Sequence, residues 1–261
     1  MTILNKDPPV LVSIVTVVLN GEDGIEKTIN SVISQKYKHI EYIVIDGAST
    51  DGTLEIIKKN SMHIDNWISE PDDGIYCAMN KGISLANGDV IGIINSGDIY
   101  YESTIGLIVD SYNKNPGEII IFGEMNRCFD DGSMIHYDMN EECVSSLNKK
   151  MSVFHPSTFV SAEVYYKCGT YDSRYYISGD YDFIKRVINA GINYSIVNNS
   201  LALMESGGVS DRPKLSLFLL DSLRLIRNFP LDSFYTFRVY LRQLLKEFFL
   251  VTVNKVISFK K

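Results

Sequence analysis

The chain has 261 residues, which suits one large α/β domain, or one domain with a small appendage, better than two full domains. Its 45% apolar and 22% charged residues lie in the soluble globular range and exclude disordered, collagen-like and coiled-coil classes. A net charge of −7 disfavours a protein built to grip phosphate backbones, so no nucleic-acid partner is expected.

Val10 to Leu19 is a β-branched run between Pro8-Pro9 and Asn20-Gly21 and predicts a buried strand. Helical spacing follows over Ile25 to Gln35, and Glu41 to Ile45 predicts a second strand ending in Asp46-Gly47. Asp51 is placed to cap a helix over Thr53 to Lys59. A short strand at Trp67 to Ser69, a helix over Ile75 to Ala86 and a strand over Asp89 to Asn95 complete an alternation that predicts βαβ units and a mostly parallel sheet. Beyond Gly117 the pattern changes to a strand at Ile119 to Phe122 and a hairpin turning at Asp130-Asp131-Gly132. Helices at Ala162 to Lys167 and Tyr181 to Ala190, and two strands within Tyr194 to Met204, are expected next.

From Lys214 the spacing predicts a helix, a break at Phe229-Pro230 and a second helix. Leu215, Phe218, Leu219, Ser222 and Leu223 share one face of the first. The second carries Phe234, Phe237, Tyr240, Leu241, Leu244, Leu245, Phe248 and Phe249 with Arg238, Arg242 and Lys246 among them. Residues 212–261 hold ten Lys/Arg against three acids, a net +7, which leaves −14 on residues 1–211. A wide apolar stripe with cationic polar positions suits a helix lying in a membrane interface; the alternative is packing on the domain or on a second copy of the chain in a homo-oligomer.

The cysteines, Cys77, Cys128, Cys143 and Cys168, are widely spaced with no C-x-x-C pair, and are expected to be reduced thiols. No signal-like segment opens the chain, and no stretch reaches the roughly 18 apolar residues of a membrane span, so a cytoplasmic protein, peripheral on the inner face of the plasma membrane, is expected.

In an open parallel sheet, ligands bind outside the carboxyl ends of the strands. Asn20, Asp46 and Asp98 each follow one of the predicted strands. A carboxylate beside a Gly-rich turn accepts hydrogen bonds from a base or ribose, whereas one near a diphosphate repels it unless a divalent cation lies between. This assigns Asp46 to a nucleoside and Asp98 to a metal. The plainer alternative at each is a turn or capping aspartate.

Four segments then carry a resemblance. Ser13 to Asn20, Ile45 to Thr53, Ser69 to Gly82 (with Ser69-Glu70-Pro71-Asp72-Asp73-Gly74-Ile75-Tyr76) and Asn95-Ser96-Gly97-Asp98 occur in the order and spacing of glycosyltransferase family 2, which the chain resembles over residues 10 to 210. The resemblance implies a GT-A fold, a nucleotide-sugar donor, a Mn or Mg divalent cation, inversion at the anomeric carbon, and a glycan or polyprenyl-linked acceptor in bacterial surface-polysaccharide synthesis. It divides the chain into a catalytic domain, 1–211, with a nucleotide-sugar half over about 10–100 and an acceptor half over about 115–211, and a basic helical tail, 212–261.

Carried over by position, the resemblance makes Thr16 and Asp46 nucleoside contacts, Asp72 the acid of the E-x-D-x-G segment and Asp98 the metal ligand. Asn20 joins the nucleotide-sugar set, and Lys81 reaches a phosphate or decorates a helix face. Ser96-Gly97-Asp98 leaves one carboxylate where two are common, and Gly47 stands where many members have a second Asp. In Ser178-Gly179-Asp180-Tyr181-Asp182, Asp180 matches the catalytic aspartate of the family's E-D-x-D motif, while Gly179 departs from its Glu. Such a carboxylate takes the proton of the attacking acceptor hydroxyl; the plainer reading is a helix N-cap, and Asp182 is the runner-up base. His155 sits where related sequences enter the acceptor pocket, or is a hydrogen-bonded structural histidine. Residues 205–210 read as a loop closing over the donor or as an ordinary connection. The Tyr165 to Tyr176 stretch packs under a loop or stacks on sugar rings. Two other classes compete: a nucleotidyltransferase, disfavoured by the acidic Leu19 to Asp23, and a non-catalytic sugar-nucleotide-binding scaffold, disfavoured by Asp98 and Asp180.

Overall fold

The computed structural model describes residues 8–147, 149–207 and 215–229. The first half follows the predicted alternation: β1 (Val12–Val18), α1 (Ile25–Ile33), β2 (Ile40–Asp46), α2 (Thr53–Lys59), β3 (Asn66–Ser69), α3 (Ile75–Leu85) and β4 (Val90–Asn95). The second half runs β5 (Ile99–Tyr100), α4 (Thr104–Lys114), β6 (Ile119–Cys128), β7 (Met134–Tyr137), α5 (Glu141–Ser146), β8 (Thr158–Ser161), α6 (Ala162–Cys168), α7 (Gly179–Asn189), β9 (Asn193–Glu205) and α8 (Leu215–Asn228).

All these strands form one mixed sheet in the order β3-β2-β1-β4-β8-β6-β9-β5, with β7 hairpinned onto β6. The nucleotide half, β3 to β4, is entirely parallel. Direction reverses where β8 pairs antiparallel with β4 and β6. β6 and β9 then run parallel, with register shifts at Gly123 and Glu124. Those shifts keep 193–205 a single irregular strand where two were expected.

Side chains alternate across the sheet and build two apolar layers. Val15, Val17, Ile43 and Ile45 face α3, α6 and α7, while Ile14, Val18, Tyr42 and Val44 face α1, α2 and α4. Gly82 is required where α3 crosses β1: a Cβ there would lie 2.1 Å from a Val15 methyl. The four cysteines are free.

α8 starts the segment expected to be a tail, and it packs on the domain. Its inward residues are Asp221, Ser222 and Leu225, whereas Leu223, expected on the apolar face, is 61% exposed. The roll of the helix follows its hydrogen bonds: the buried Asp221 carboxylate accepts from the backbone of residues 176–178, and Leu225 then meets the core beside α7. The second helix, after Pro230, lies outside the described residues. No helix among the described residues is long and apolar enough to cross a membrane.

Candidate active site

The parallel strands end on a crevice of about 450 Å³ beside the point where strand direction reverses. Asn95 to Asp98 form its floor after β4, Gly21 to Gly24 one wall after β1, and Arg127 and Met204 to Gly207 the end of the β6–β9 pair. Tyr76 of α3, His155, and the stretch from Tyr176 to Asp180 leading into α7 close the opposite side. Three of the sequence candidates, Asp98, His155 and Asp180, therefore share one cavity although 82 residues separate the two aspartates.

Asp180 lies in the first turn of α7. Its Oδ1 accepts from the Tyr181 N–H at 2.9 Å and lies 3.2 Å from the Tyr76 hydroxyl, which also bonds the Ile177 carbonyl at 2.6 Å. Burial pushes the Asp180 carboxyl up to about 6, the two donors notwithstanding. The Tyr76 ring explains the Gly179 departure: a Cβ at 179 would lie 2.8 Å from it, so an aromatic ring occupies the space a longer side chain would need. His155 Nδ1 stands 3.8 Å from Asp180 Oδ2, beyond hydrogen-bond range, and its Nε2 is buried without a partner. Burial lowers the imidazole to about 4, so it is neutral at physiological pH.

Asp98 is 5% exposed, and its Oδ1 accepts the Glu205 N–H at 3.2 Å, joining the end of β9 to the floor. Burial, with the charge of Glu205 adding to it, pushes the carboxyl up to about 7 against the opposing effects of that N–H and of Arg127. The buried Asn95 amide oxygen, also on the crevice, has no hydrogen-bond partner. Two hard oxygen donors in one floor fit a divalent cation that draws its remaining ligands from phosphate and water.

A second group gathers beyond the β1 and β2 ends. Asp46, fully buried, accepts from Ser69 and from the Ser49 N–H and hydroxyl. Asn20 adopts the left-handed backbone, φ +51°, and its side chain receives the Thr50 N–H at 2.8 Å while its own N–H reaches Ser49. Asp72 pairs with Lys81, which also holds Glu70, and the other Asp72 oxygen is buried without a partner next to Gly47. Lys81 is thus tied to two carboxylates on its own side of this loop group.

Two candidates are not brought to either place. Thr16 sits mid-strand with no exposure and bonds the Tyr42 hydroxyl at 3.0 Å; strand alternation turns it toward the α1 layer. Asp182 is 1% exposed and receives Tyr175, Arg186 and Asn228, because two residues along a helix turn it to the opposite side from Asp180. Of the tyrosines, Tyr165 and Tyr171 pack with Phe183, Tyr176 reaches the crevice, and Tyr166 is 95% exposed. Arg127 and Asp221 had no signal in the sequence, since neither lies in a recognisable motif; Tyr76 lay within one without a role.

The family model described as glycosyl transferase family 2 matches residues 13–249. The chain belongs to glycosyltransferase family 2. An uncharacterized glycosyltransferase of Mycobacterium tuberculosis is 34% identical over 184 residues, covering 67% of this chain and 68% of that protein. Among solved structures, Staphylococcus aureus TarS 1–349 in complex with UDP-GlcNAc superposes with a TM-score of 0.67 at 14% identity, over 90% of this chain and 71% of that one. Mannosyltransferase PcManGT from Pyrobaculum calidifontis, in complex with GDP-Man and Mn²⁺, gives 0.61 at 14% identity over 85% and 64%. At such identities the two structures speak for the fold, and this family 2 enzyme has the mixed α/β sheet of those GT-A neighbours.

Proposed function

We propose that this family 2 enzyme is an inverting glycosyltransferase that uses a nucleoside-diphosphate sugar and a divalent cation to glycosylate a hydroxyl of a glycan or polyprenyl-linked acceptor in bacterial surface-polysaccharide synthesis. The observation that carries the reading is Asp180, a carboxylate facing Asp98 across one crevice with its proton affinity raised toward neutrality. The acceptor oxygen bonds to the anomeric carbon from the face opposite the leaving group. The bond from that carbon to the phosphate oxygen breaks with its electron pair, and Asp180 takes the hydroxyl proton. Neutral His155 and the Tyr76 hydroxyl flank that carboxylate and orient the acceptor. Arg127, whose charge is felt at Asp98, offsets negative charge on the departing diphosphate.

Asp98 and the Asn95 oxygen would hold the cation, which supplies charge neutralisation at the diphosphate. The unpartnered Asp72 oxygen receives a donor from the nucleoside, while Asp46, its oxygens taken by Ser49 and Ser69, and Asn20 brace the loop beside it. The nucleotides in TarS and PcManGT support a nucleoside-diphosphate donor, and the Mn²⁺ of the latter supports the cation.

A thermal-shift screen against UDP-, GDP-, dTDP- and CMP-sugars, each with Mn²⁺, Mg²⁺ or EDTA, tests the reading. A ligand at about 100 times its Kd adds about 2.7 kcal/mol to the folded state. A cation-dependent rise in Tm with one nucleoside-diphosphate sugar is expected; no rise with any of them leaves the donor assignment without support.

Two further results are expected. Because Asp180 accepts a proton only when ionised, and burial raises its carboxyl to about 6, kcat should rise with pH through about 6 and level off above it. A kcat that is flat between pH 5 and 8 contradicts the assignment of the base. The basic tail, residues 212–261, supports contact with an anionic membrane surface. The full chain should float with liposomes containing anionic lipid, and a chain ending at Phe229, which retains α8 and its packing, should not; equal flotation removes the tail from the proposal.

A further inference from the structure

Asp221 lies in α8 with no exposed surface, and one carboxylate there receives three successive backbone N–H groups. Tyr176 donates at 3.1 Å to each oxygen, Ile177 at 2.7 Å and Ser178 at 3.0 Å, while Arg224 stands 3.4 Å away. Consecutive amides converging on one anion make a backbone concavity, and charge-assisted bonds of this kind are about twice as strong as neutral ones. No other helix of the described residues contributes a carboxylate to this stretch.

The clamped residues belong to the crevice. Tyr176 and Ile177 line it, the Ile177 carbonyl takes the Tyr76 hydroxyl, and Ser178 is the N-cap of the helix that carries Asp180. The same helix is secured further along, where Asn228 bonds Asp182 at 3.0 Å and Phe229 lies 4.5 Å under the Lys185 ammonium. A helix that follows β9 thus fixes the entry to α7 from a position over 40 residues later in the chain.

We infer that Asp221 is a positioning residue for sugar transfer, anchoring residues 176–178 so that Asp180 and Tyr76 meet the acceptor hydroxyl in one geometry. The inference rests on Asp180 as the base. Asp221 also acts through charge. Around Asp180 stand Tyr76 of α3, His155, Tyr171 and the Tyr181 N–H of its own helix, with Asp98 across the crevice, and the charge of Asp221 is felt at its carboxyl. Both tyrosines are held above the ordinary phenol range and His155 is neutral above about pH 4, while Asp221 adds through its charge to the burial that raises Asp180.

The test compares wild type, Asp221→Asn and Asp180→Asn in the full chain, reading nucleoside diphosphate released from a UDP-sugar or GDP-sugar with Mn²⁺ and water as acceptor, between pH 5 and 8. Asp221→Asn is expected to lose about 10- to 100-fold in kcat, as misplacement of a reacting group by about 1 Å does, with donor KM within about twofold. Its acid limb should move to lower pH, which a purely structural loss would not do. A kcat within about twofold of wild type, or an unmoved limb, overturns the proposal. Asp180→Asn with wild-type turnover instead sinks the base itself, and the two failures are read separately. Should Asp221→Asn not fold, Asp221→Glu retains the charge but displaces it by one methylene, and is expected to fold and still lose kcat; wild-type kcat overturns the positioning role. Amide exchange of residues 176–178 in the wild type is expected to be at least about 100-fold slower than in an unstructured chain, and exchange at the unstructured rate overturns the clamp.

Discussion

Asp180→Asn is expected to lower sugar transfer by about 10²- to 10⁴-fold, the range a positioned general base supplies. The change is isosteric, and its remaining oxygen can still accept from the Tyr181 N–H and Tyr76, so the entry to α7 should keep its shape. Only the ability to take a proton is lost. Burial already disfavours the charged form of this carboxyl, so removing the charge should not lower Tm at neutral pH. Initial rates at saturating donor, with nucleotide binding measured in parallel by calorimetry, separate the two properties. A variant that retains more than about a tenth of wild-type kcat would show that another group removes the proton. An unaltered biological activity would favour the non-catalytic binder instead.

Asp98→Asn carries the second large effect, on donor binding rather than on proton transfer. Asp98 is the one carboxylate of the Ser96-Gly97-Asp98 floor, so the variant should weaken cation-dependent binding of the donor by about 100-fold or more; even outer partners of metal ligands cost 10- to 100-fold. The stability change has the opposite sign. The Asp98 carboxyl is raised to about 7 in the folded chain, above its unfolded value, so its contribution is fully present below the unfolded pKa and is lost as pH rises through about 7. Without ligand, Asp98→Asn should therefore melt at or above the wild-type Tm at pH 8. Calorimetric titration of the donor with Mn²⁺ and with EDTA checks the first expectation, and melting curves at pH 5 and pH 8 check the second. Wild-type affinity in the presence of Mn²⁺ would remove Asp98 from the cation site.

The contrast between Asp180 and Asp182 shows what a motif conveys. Both acids lie in the same five-residue segment, and nothing in its composition tells them apart. The helix decides: one residue opens on the crevice and the other is sealed among Tyr175, Arg186 and Asn228. Thr16 lies apart from the crevice for the same kind of reason, because alternation along β1 places it in the α1 layer. β8 was not legible either. It has four residues, and its place between β4 and β6 comes from pairing partners about 70 residues before it and about 40 before it, not from its own periodicity.

Local pattern was sufficient for the nucleotide half, because each βα unit carries its own signals: β-branched runs, a switch to helical spacing, and Gly- or Asp-containing turns between them. The four motif segments carried the resemblance to the family, and that resemblance pointed to Asp98 and Asp180 as the groups to examine. What the amino-acid order could not convey is which side chains face one another across long separations. Tyr76 meets Asp180 from 104 residues away, Glu205 meets Asp98 from 107, and Asp221 reaches three amides of a loop more than 40 residues earlier. Such contacts have no local signature, since they exist only once the sheet has reversed direction and α8 has packed back on the domain; burial then sets the proton affinities of both aspartates.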